Sequence, residues 1–373
     1  MQDDASLPLV SIVVPVHNSE PFLNELLDSV AGQTYDTLDV VLVDDGSSDS
    51  SLGICEKRQR SDSRFRVLKQ PNSGAGVARN AGMAIAQGEY LICLDSDDLV
   101  ASDMIEKLIK PMLAEPSIEI TICGLDEYVD AAKEYRPAAW AVNQRTVPAF
   151  APFSPKNIPL LFGQVVGYPW NKMIRRSLID RWDLRWQEIE MHEDMAFSQT
   201  ALALAENAYY VDEPLYHHRI RSSNGSLSSD ENQDKRYECL FVALEKIKED
   251  LKLADVWDVY ERAFANYALA QCRWKYGRVS EAARNDVSSS LVNVWFDRLG
   301  LSGYPPDTFA SSEDYGFMQS LIADNHLTSC SEHASRSNPA SRQGSDDARQ
   351  MCSGRRFSKR IEHAIQKLFY RDR

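Results

Sequence analysis

Short apolar runs alternate with amphipathic patterns over the first third of the chain. The apolar runs predict buried strands at residues 9–16, 40–43, 65–68, 90–94 and 118–123. Between them, apolar residues recur at intervals of three and four, which predicts helices from residue 19 and at residues 50–61, 74–86 and 104–113. Strands and helices that alternate in this way are typical of an α/β fold, a mostly parallel sheet flanked by helices.

The pattern changes after residue 124. Residues 130–165 carry prolines and little periodicity, and aromatic and charged residues mixed over 160–195 indicate loops that line a site. Helical periodicity returns over 237–299, whereas residues 328–354 are too polar to bury a core and are expected to be disordered. These changes predict a first domain at 1–225 with parts at about 9–124 and 125–225, a C-terminal helical extension at 230–327, a linker at 328–354 and a last segment at 355–373.

That last segment, residues 355–373, predicts a basic amphipathic helix. Its apolar residues share one helical stripe, and seven lysines and arginines against two acidic residues leave a charge of +5. Such a helix can lie on an anionic membrane surface, and it can equally pack on the protein itself or on a sister chain.

Charge and composition exclude several classes of protein. The 373 residues carry a net charge of −14, which is unfavourable for general binding to nucleic acid. No apolar stretch approaches the length of a membrane span, the acidic amino terminus lacks a signal-peptide layout, and the seven cysteines show no C-x-x-C pair. The chain is therefore expected in the cytoplasm, at the inner face of the plasma membrane if its last segment binds lipid.

Two aspartate clusters follow two of the predicted strands. Asp44 and Asp45 end the second strand, and Asp95, Asp97 and Asp98 follow the fourth. Ligands of open α/β sheets bind beyond the carboxyl ends of the strands, and grouped carboxylates need a positive partner there. Asp95 and Asp97 alternate along an extended segment and can share one Mg²⁺ or Mn²⁺, while Asp98 points elsewhere. A D-x-D pattern alone is equally typical of an acidic turn that caps a helix.

Four segments together resemble one enzyme family. Residues 11–18, 43–49, 76–82 and 94–98 follow the order and spacing of the inverting family 2 glycosyltransferases with the GT-A fold, of the type found in bacterial polysaccharide biosynthesis. The resemblance covers residues 9 to roughly 225. It implies that residues 9–124 form the half that binds the nucleotide sugar and residues 125–225 the half that binds the acceptor.

The resemblance also implies roles for individual residues. Asp194 would be the catalytic base that takes the proton of the acceptor hydroxyl, and Asp95 and Asp97 would bind the metal ion. The nucleotide sugar would be bound by Pro15, Val16, Asn18, Asp44, Asp45, Arg79, Asp95 and Ser96. Candidates for the acceptor side or the diphosphate are Trp170, Asn171, Lys172, Glu193, His217, His218 and Arg219.

The implied reaction is the transfer of a sugar, expected to be UDP-linked, to a hydroxyl of a glycan or a lipid-linked acceptor with inversion. Capsule, exopolysaccharide or cell-wall glycan synthesis would use it. A nucleotidyltransferase is an alternative, although it usually has a glycine-rich loop after the first strand, and the first glycine here is Gly32. A non-catalytic carbohydrate-binding or scaffold protein is another, against which the acidic pair and Asp194 argue.

The basic segment gives a first testable prediction. Deletion of residues 355–373 should release the protein from anionic lipid vesicles, because the segment carries the positive charge and the apolar stripe together. Co-sedimentation with vesicles of anionic and of neutral lipid measures this. Equal sedimentation of the deleted and the full-length protein would exclude the membrane role.

Overall fold

The computed structural model describes residues 7–221 and 230–333, and within them one mixed sheet carries the fold. The spatial order of its main strands is β3-β2-β1-β4-β9-β6-β10-β5, with β7 beside β6 and β8 beside β10. The strands are β1 (Val10–Val16), β2 (Leu38–Asp45), β3 (Phe65–Gln70), β4 (Tyr90–Cys93), β5 (Leu99–Val100), β6 (Ile118–Val129), β7 (Glu134–Pro137), β8 (Pro152–Phe153), β9 (Lys172–Arg175) and β10 (Asn207–Ile220).

Within residues 7–221 and 230–333, six α-helices flank this sheet and six more follow it in the chain. The first group is α1 (Glu20–Ala31), α2 (Ser51–Ser61), α3 (Ala75–Ile85), α4 (Met104–Ala114), α5 (Arg176–Arg181) and α6 (Glu193–Leu204). The second group is α7 (Asp230–Lys235), α8 (Tyr237–Leu253), α9 (Trp257–Arg278), α10 (Glu281–Ser290), α11 (Phe296–Arg298) and α12 (Ser312–His333). We call this second group the helical extension.

The centre of the sheet agrees with the predicted pattern. β1 pairs in parallel with β2 on one side and with β4 on the other, and Val13 lies between Val41 and Cys93. All residues of β2 and β4 are buried, as expected for strands covered on both faces. The carboxyl ends of β1, β2 and β4 therefore meet at one edge, where the aspartate clusters lie.

Beyond β4 the sheet is mixed rather than parallel. The four-residue strand β9 lies between β4 and β6 and runs antiparallel to both. The sequence analysis assigned this stretch to loops, because four residues beside aromatic and charged neighbours give no clear period. β6 and β10 then pair in parallel over most of their length.

Close packing places α3 above the first two strands. A Cβ atom at Gly82 would lie 2.4 Å from Cγ1 of Val13 and 3.1 Å from Cγ2 of Val43, so only glycine permits this approach. The helix therefore begins at the carboxyl edge of β2, with its first turn facing the aspartate clusters.

The helical extension continues the same hydrophobic core. The Tyr260 hydroxyl donates to the carbonyl of Ala203 in α6 at 2.8 Å, and its ring packs 5.7 Å from that of Phe162. The last helix runs to His333, six residues into the stretch predicted to be disordered. Residues 334–354 and the basic segment 355–373 lie outside the described residues. Among the helices of the described part, none is both long and apolar enough to cross a membrane.

Candidate active site

The second strand ends in two carboxylates with different surroundings. Asp45 accepts hydrogen bonds at 2.8 Å from the backbone nitrogens of Ser73 and Gly74 and from Gln70, so it holds the loop before α3. Asp44 is also buried, but its Oδ1 atom has no hydrogen-bond partner among the described residues. A buried acceptor without a donor is costly, which makes Asp44 suited to a ligand that brings an N–H or O–H group.

The turn after β1 is fixed against the turn after β2. Pro15 and Val16 end β1, and Asn18 adopts a left-handed conformation with φ of 50°. The Asn18 side-chain oxygen accepts from the nitrogen of Ser48 at 2.8 Å. Ser96 reaches the same corner, with its hydroxyl 2.6 Å from that of Ser19. The residues predicted to bind the nucleotide sugar at this corner are thus grouped along one rim.

A buried arginine joins the two halves of the site. Arg79 in α3 donates from Nη2 to Asp95 and from Nη1 to Glu193, both at 2.7 Å, and its guanidinium carbon lies 4.9 Å from the ring centre of Trp186. Burial alone would lower the pKa of Arg79, but the carboxylates of Asp95, Glu193 and Asp194 outweigh it and raise that pKa. The resemblance implied that Arg79 binds the nucleotide sugar. Here both terminal nitrogens are bound by carboxylates, so Arg79 acts as an internal bridge.

The aspartates after β4 point in different directions. Asp98 is buried and accepts from the Tyr216 hydroxyl and from the backbone nitrogen of Arg219, so it faces the protein interior. The side chains of Asp95 and Asp97 are 32% and 22% exposed, and Asp97 pairs with Arg221. Asp95 and Asp97 therefore remain the pair that a ligand can reach.

A metal ion at this pair would need further ligands. Within residues 7–221 and 230–333, no group of three or more histidine, cysteine, aspartate or glutamate side chains is arranged to hold an ion. Two partly exposed carboxylates are nevertheless a donor set that suits Mg²⁺ or Mn²⁺, which commonly binds one or two carboxylates together with substrate phosphates. The residues fit an ion whose coordination the substrate completes.

Asp194 lies in the first turn of α6 beside this network. Burial and the charge of Glu193 raise the pKa of Asp194 to about 8; Arg79 acts in the opposite direction and Asp95 adds to the rise. A carboxyl group with a pKa in this range can take up and release a proton near neutral pH, as a general base requires.

The glycine at the start of α3 permits this assembly. A Cβ atom at Gly76 would lie 2.1 Å from the carbonyl oxygen of Gln187 and 3.2 Å from Cγ of Glu193. Helix α3 can therefore approach the segment before α6 only with glycine at this position, and this approach brings Arg79 within reach of Glu193.

An aromatic surface borders the carboxylates. The rings of Tyr168, Trp170 and Tyr216 stack in sequence at 5.1 and 4.4 Å, and Trp140 meets Tyr168 edge to face at 6.2 Å. Tyr168 is 42% and Trp140 50% exposed. Partial burial and the nearby charges of Asp194 and Asp95 raise the pKa of Tyr168 to about 12, so this phenol lies close to the acidic site.

Neither Tyr168 nor Trp140 is among the site residues predicted from the sequence. Tyr168 falls within the stretch predicted to line a site, which was the available signal. Trp140 lies in the stretch of low periodicity, where nothing in the sequence marks it.

Several candidates for the acceptor side are engaged within the protein. All three protons of buried Lys172 are donated, to the carbonyls of Val166 and Tyr168 and to the Asn171 side chain, at 2.7 to 2.8 Å. Burial lowers the pKa of Lys172 to about 7. Asn171 in turn donates to the carbonyl of Cys123 at 3.0 Å. Both residues therefore hold the loop before β9 and are not free to bind a substrate.

The basic residues of β10 differ in their accessibility. Arg219 pairs with Glu25 and Asp130 and is buried. His217 pairs with Asp126 at 2.6 Å. His218 is more exposed; burial would lower its pKa, but the carboxylate of Asp98, 3.4 Å away, raises it. Of the three, His218 is the one whose ring is placed to meet a ligand.

Comparison with known proteins identifies relatives. Residues 11–182 match a family model described as Glycosyl transferase family 2. The chain is 35% identical over 223 residues to EpsH and 34% identical over 215 residues to EpsJ, both from Bacillus subtilis strain 168 and both named as glycosyltransferases. These matches cover 58% and 57% of this chain, which spans 62% of EpsH and 61% of EpsJ.

A solved structure shares the fold. Staphylococcus aureus TarS 1–349 aligns with a TM-score of 0.52 and 20% identity over 86% of this chain and 91% of that chain. The same TarS fragment in complex with UDP-GlcNAc aligns with a TM-score of 0.51 and 21% identity over 86% of this chain and 92% of that chain. The expected fold, a GT-A sheet with flanking helices and a helical region after it, is confirmed.

The raised pKa of Asp194 predicts a dependence of stability on pH. The native state keeps a proton on this carboxyl up to about pH 8, whereas the unfolded chain releases it near the ordinary aspartate pKa of 3.8. The group therefore stabilises the native state at low pH, and this contribution is lost as the pH rises towards 8. The free energy of unfolding of the metal-free protein should fall from about pH 5 to pH 8 by on the order of 1 kcal/mol per pH unit.

Asp194→Asn, which mimics the protonated carboxyl, should make the free energy of unfolding depend less on pH over this range. Asp183→Asn, at an exposed position, should leave the dependence unchanged. Urea unfolding at a series of pH values measures it. Parallel curves for wild type and Asp194→Asn would contradict the raised pKa.

Proposed function

We propose that this chain, which belongs to the glycosyl transferase family 2 through residues 11–182, transfers a sugar from a nucleotide diphosphate sugar to an acceptor hydroxyl with inversion. The observation that carries the proposal is the Arg79 bridge. It joins Asp95, at the edge where a phosphate-bearing donor would bind, to Glu193, the neighbour of the proposed base. This contact supports a shared site for the donor and the base.

The proposed chemistry follows from the state of Asp194. An alcohol is a weak nucleophile, and a carboxylate placed beside it removes its proton as the sugar carbon is attacked. A pKa of about 8 gives Asp194 enough basicity for this role while part of the population is ionised at neutral pH. A single displacement, with no covalent intermediate on the protein, inverts the anomeric carbon.

Asp95 and Asp97 are proposed to hold Mg²⁺ or Mn²⁺. When bound, the ion would neutralise negative charge on the departing nucleoside diphosphate. Asp97 would have to exchange its Arg221 partner for the ion, whereas Asp95 can keep Arg79 on one oxygen and offer the other. Arg221 would then be available to the diphosphate.

The substrate classes follow from the two sides of the site. On the donor side, the unpartnered Oδ1 of Asp44 suits an N–H group of a base, and uridine is proposed as that base. TarS, with which the chain shares its fold, has been solved with UDP-GlcNAc. On the acceptor side, the exposed rings of Trp140 and Tyr168 are suited to the apolar face of a sugar ring, so a glycan or glycan-bearing lipid is the proposed acceptor.

A polysaccharide pathway at the cytoplasmic side of the membrane would use such a reaction. A non-catalytic carbohydrate-binding protein would not need a carboxyl with a pKa near 8 beside an acidic pair. The enzyme is therefore the better account of the same residues.

The proposed metal site predicts a loss of activity without a loss of fold. Asp97→Asn should lower sugar transfer by at least about a hundredfold and remove its dependence on Mn²⁺, because one of two protein ligands is lost. Asp103→Asn is the matched control, since this partly exposed aspartate pairs with Lys107 in a similar way. Transfer and hydrolysis of a panel of nucleotide sugars, with and without EDTA, measure the effect. Full activity of Asp97→Asn, or of wild type in EDTA, would exclude the metal from the mechanism.

The proposed base predicts a different kinetic change. Asp194→Asn should lower kcat by about a thousandfold or more while the dissociation constant of the nucleotide sugar changes little, because general-base catalysis acts on the acceptor proton. Calorimetric titration with donor and steady-state kinetics separate the two quantities. A large loss of donor affinity with kcat retained would give Asp194 a role in binding instead.

A further inference from the structure

The segment that leads into the proposed base has no regular structure of its own. Residues 184–192 contain neither helix nor strand, and α6 begins directly after them at Glu193. We call residues 187–192 the approach segment. Glu193 and Asp194 begin α6 directly after this segment, so its conformation contributes to their position together with the buried remainder of the helix.

The helical extension holds the approach segment at several points. Gln187 donates to the carbonyl of Val242 in α8 at 3.4 Å, and Glu190 pairs with Arg236 just before α8. Met191 packs against Cys239 in a small buried cluster separate from the main core. Three consecutive parts of the segment thus contact one short stretch of the extension.

The fourth contact is a buried lysine, which reaches the residue directly before Glu193. Lys275 in α9 is 0% exposed, and its ammonium group lies 3.1 Å from Nε2 of His192 and 2.5 Å from Oε1 of Gln233 in α7. Because an ammonium group only donates, Nε2 of His192 must be the acceptor and the ring must be neutral. Burial, with a further contribution from the charge of Lys275, lowers the pKa of His192 to about 3.

His192 connects the hydrogen bond from Lys275 to the first turn of α6. Its backbone is left-handed, with φ of 61°, and its carbonyl accepts from the nitrogen of Met195 at 3.2 Å in the first turn of the helix. A non-glycine residue keeps a left-handed conformation only where its surroundings hold it. The hydrogen bond from Lys275 is one such restraint, on the residue immediately before Glu193.

We propose that Lys275 is a positioning residue for Glu193 and Asp194 and that it acts through His192. Through this residue the helical extension contributes to the geometry of the active site. The inference rests on the proposed role of Asp194 as the base. It assigns a function to the extension, for which the sequence analysis found none.

The test compares two buried or half-buried lysines of the extension. Lys275→Met should lower kcat by about ten- to a hundredfold, because a displacement of the base by about 1 Å has effects of that size. The dissociation constant of the nucleotide sugar should stay within about twofold, since the donor side is untouched. Lys248→Met is the matched control: Lys248 donates to the carbonyl of Arg298, away from the approach segment, and should keep wild-type kcat. An equal loss in both variants, or none in Lys275→Met, would overturn the proposal.

A double-mutant cycle tests whether Lys275 acts through His192. His192→Asn keeps a residue that tolerates the left-handed conformation but is too short to reach Lys275. In that background Lys275→Met should cause no further loss of kcat. If Lys275→Met lowered kcat by the same factor in both backgrounds, that result would contradict the assignment. His192→Asn alone should show the kcat loss, which keeps the proposal testable if Lys275→Met does not fold.

Hydrogen exchange separates this proposal from the proposed function. The amides of residues 187–194 should exchange faster in Lys275→Met than in wild type or Lys248→Met, in the absence of any substrate. If wild type transferred no sugar, the proposed function would fail while faster exchange would still support the positioning role. If wild type were active and exchange were unchanged in Lys275→Met, the positioning role alone would be overturned.

Discussion

The site depends on one buried guanidinium placed among three carboxylates. Arg79 binds Asp95 and Glu193 directly, and it lies close enough to Asp194 for an electrostatic interaction. Without it, these carboxylates would be left together and uncompensated, and breaking a buried ion pair in this way typically costs about 3–5 kcal/mol. Arg79 can make these contacts only because α3 packs closely on the sheet and has glycine at position 76, where a larger residue would clash.

The same contact explains why Asp194 differs from its neighbours. One positive charge is shared among three carboxylates, and Arg79 donates its hydrogen bonds to the other two. Burial and repulsion by Glu193 and Asp95 raise the pKa of Asp194. The attraction of Arg79, which acts at a distance, lowers that pKa only in part. The acid–base property proposed for the site therefore follows first from the burial of Asp194 and the charge of Glu193, which Arg79 offsets only in part because its hydrogen bonds go to Asp95 and Glu193.

The sequence was informative where function follows from local spacing. The central strands and the acidic residues at the end of β2 and after β4 all lie in short segments with recognisable patterns. The contacts that join these segments are not local: 114 positions separate Arg79 from Glu193, and 83 separate His192 from Lys275. A single sequence carries no spacing signal for such pairs, so the pairing of Arg219 with Glu25 and Asp130 could not be predicted either.

These distant contacts share a physical reason. An α/β sheet gathers ligand-binding groups at the carboxyl ends of its strands, but it holds only the residues that directly follow those strands. Asp95 is placed by β4 in this way, whereas Glu193 and Asp194 follow an irregular stretch with no strand before it. Their position must come from outside the sheet, from Arg79 on one side and from the helical extension on the other. The proposed base is brought to the sheet edge by a loop, and in this chain α7 to α9 contact that loop and restrain it.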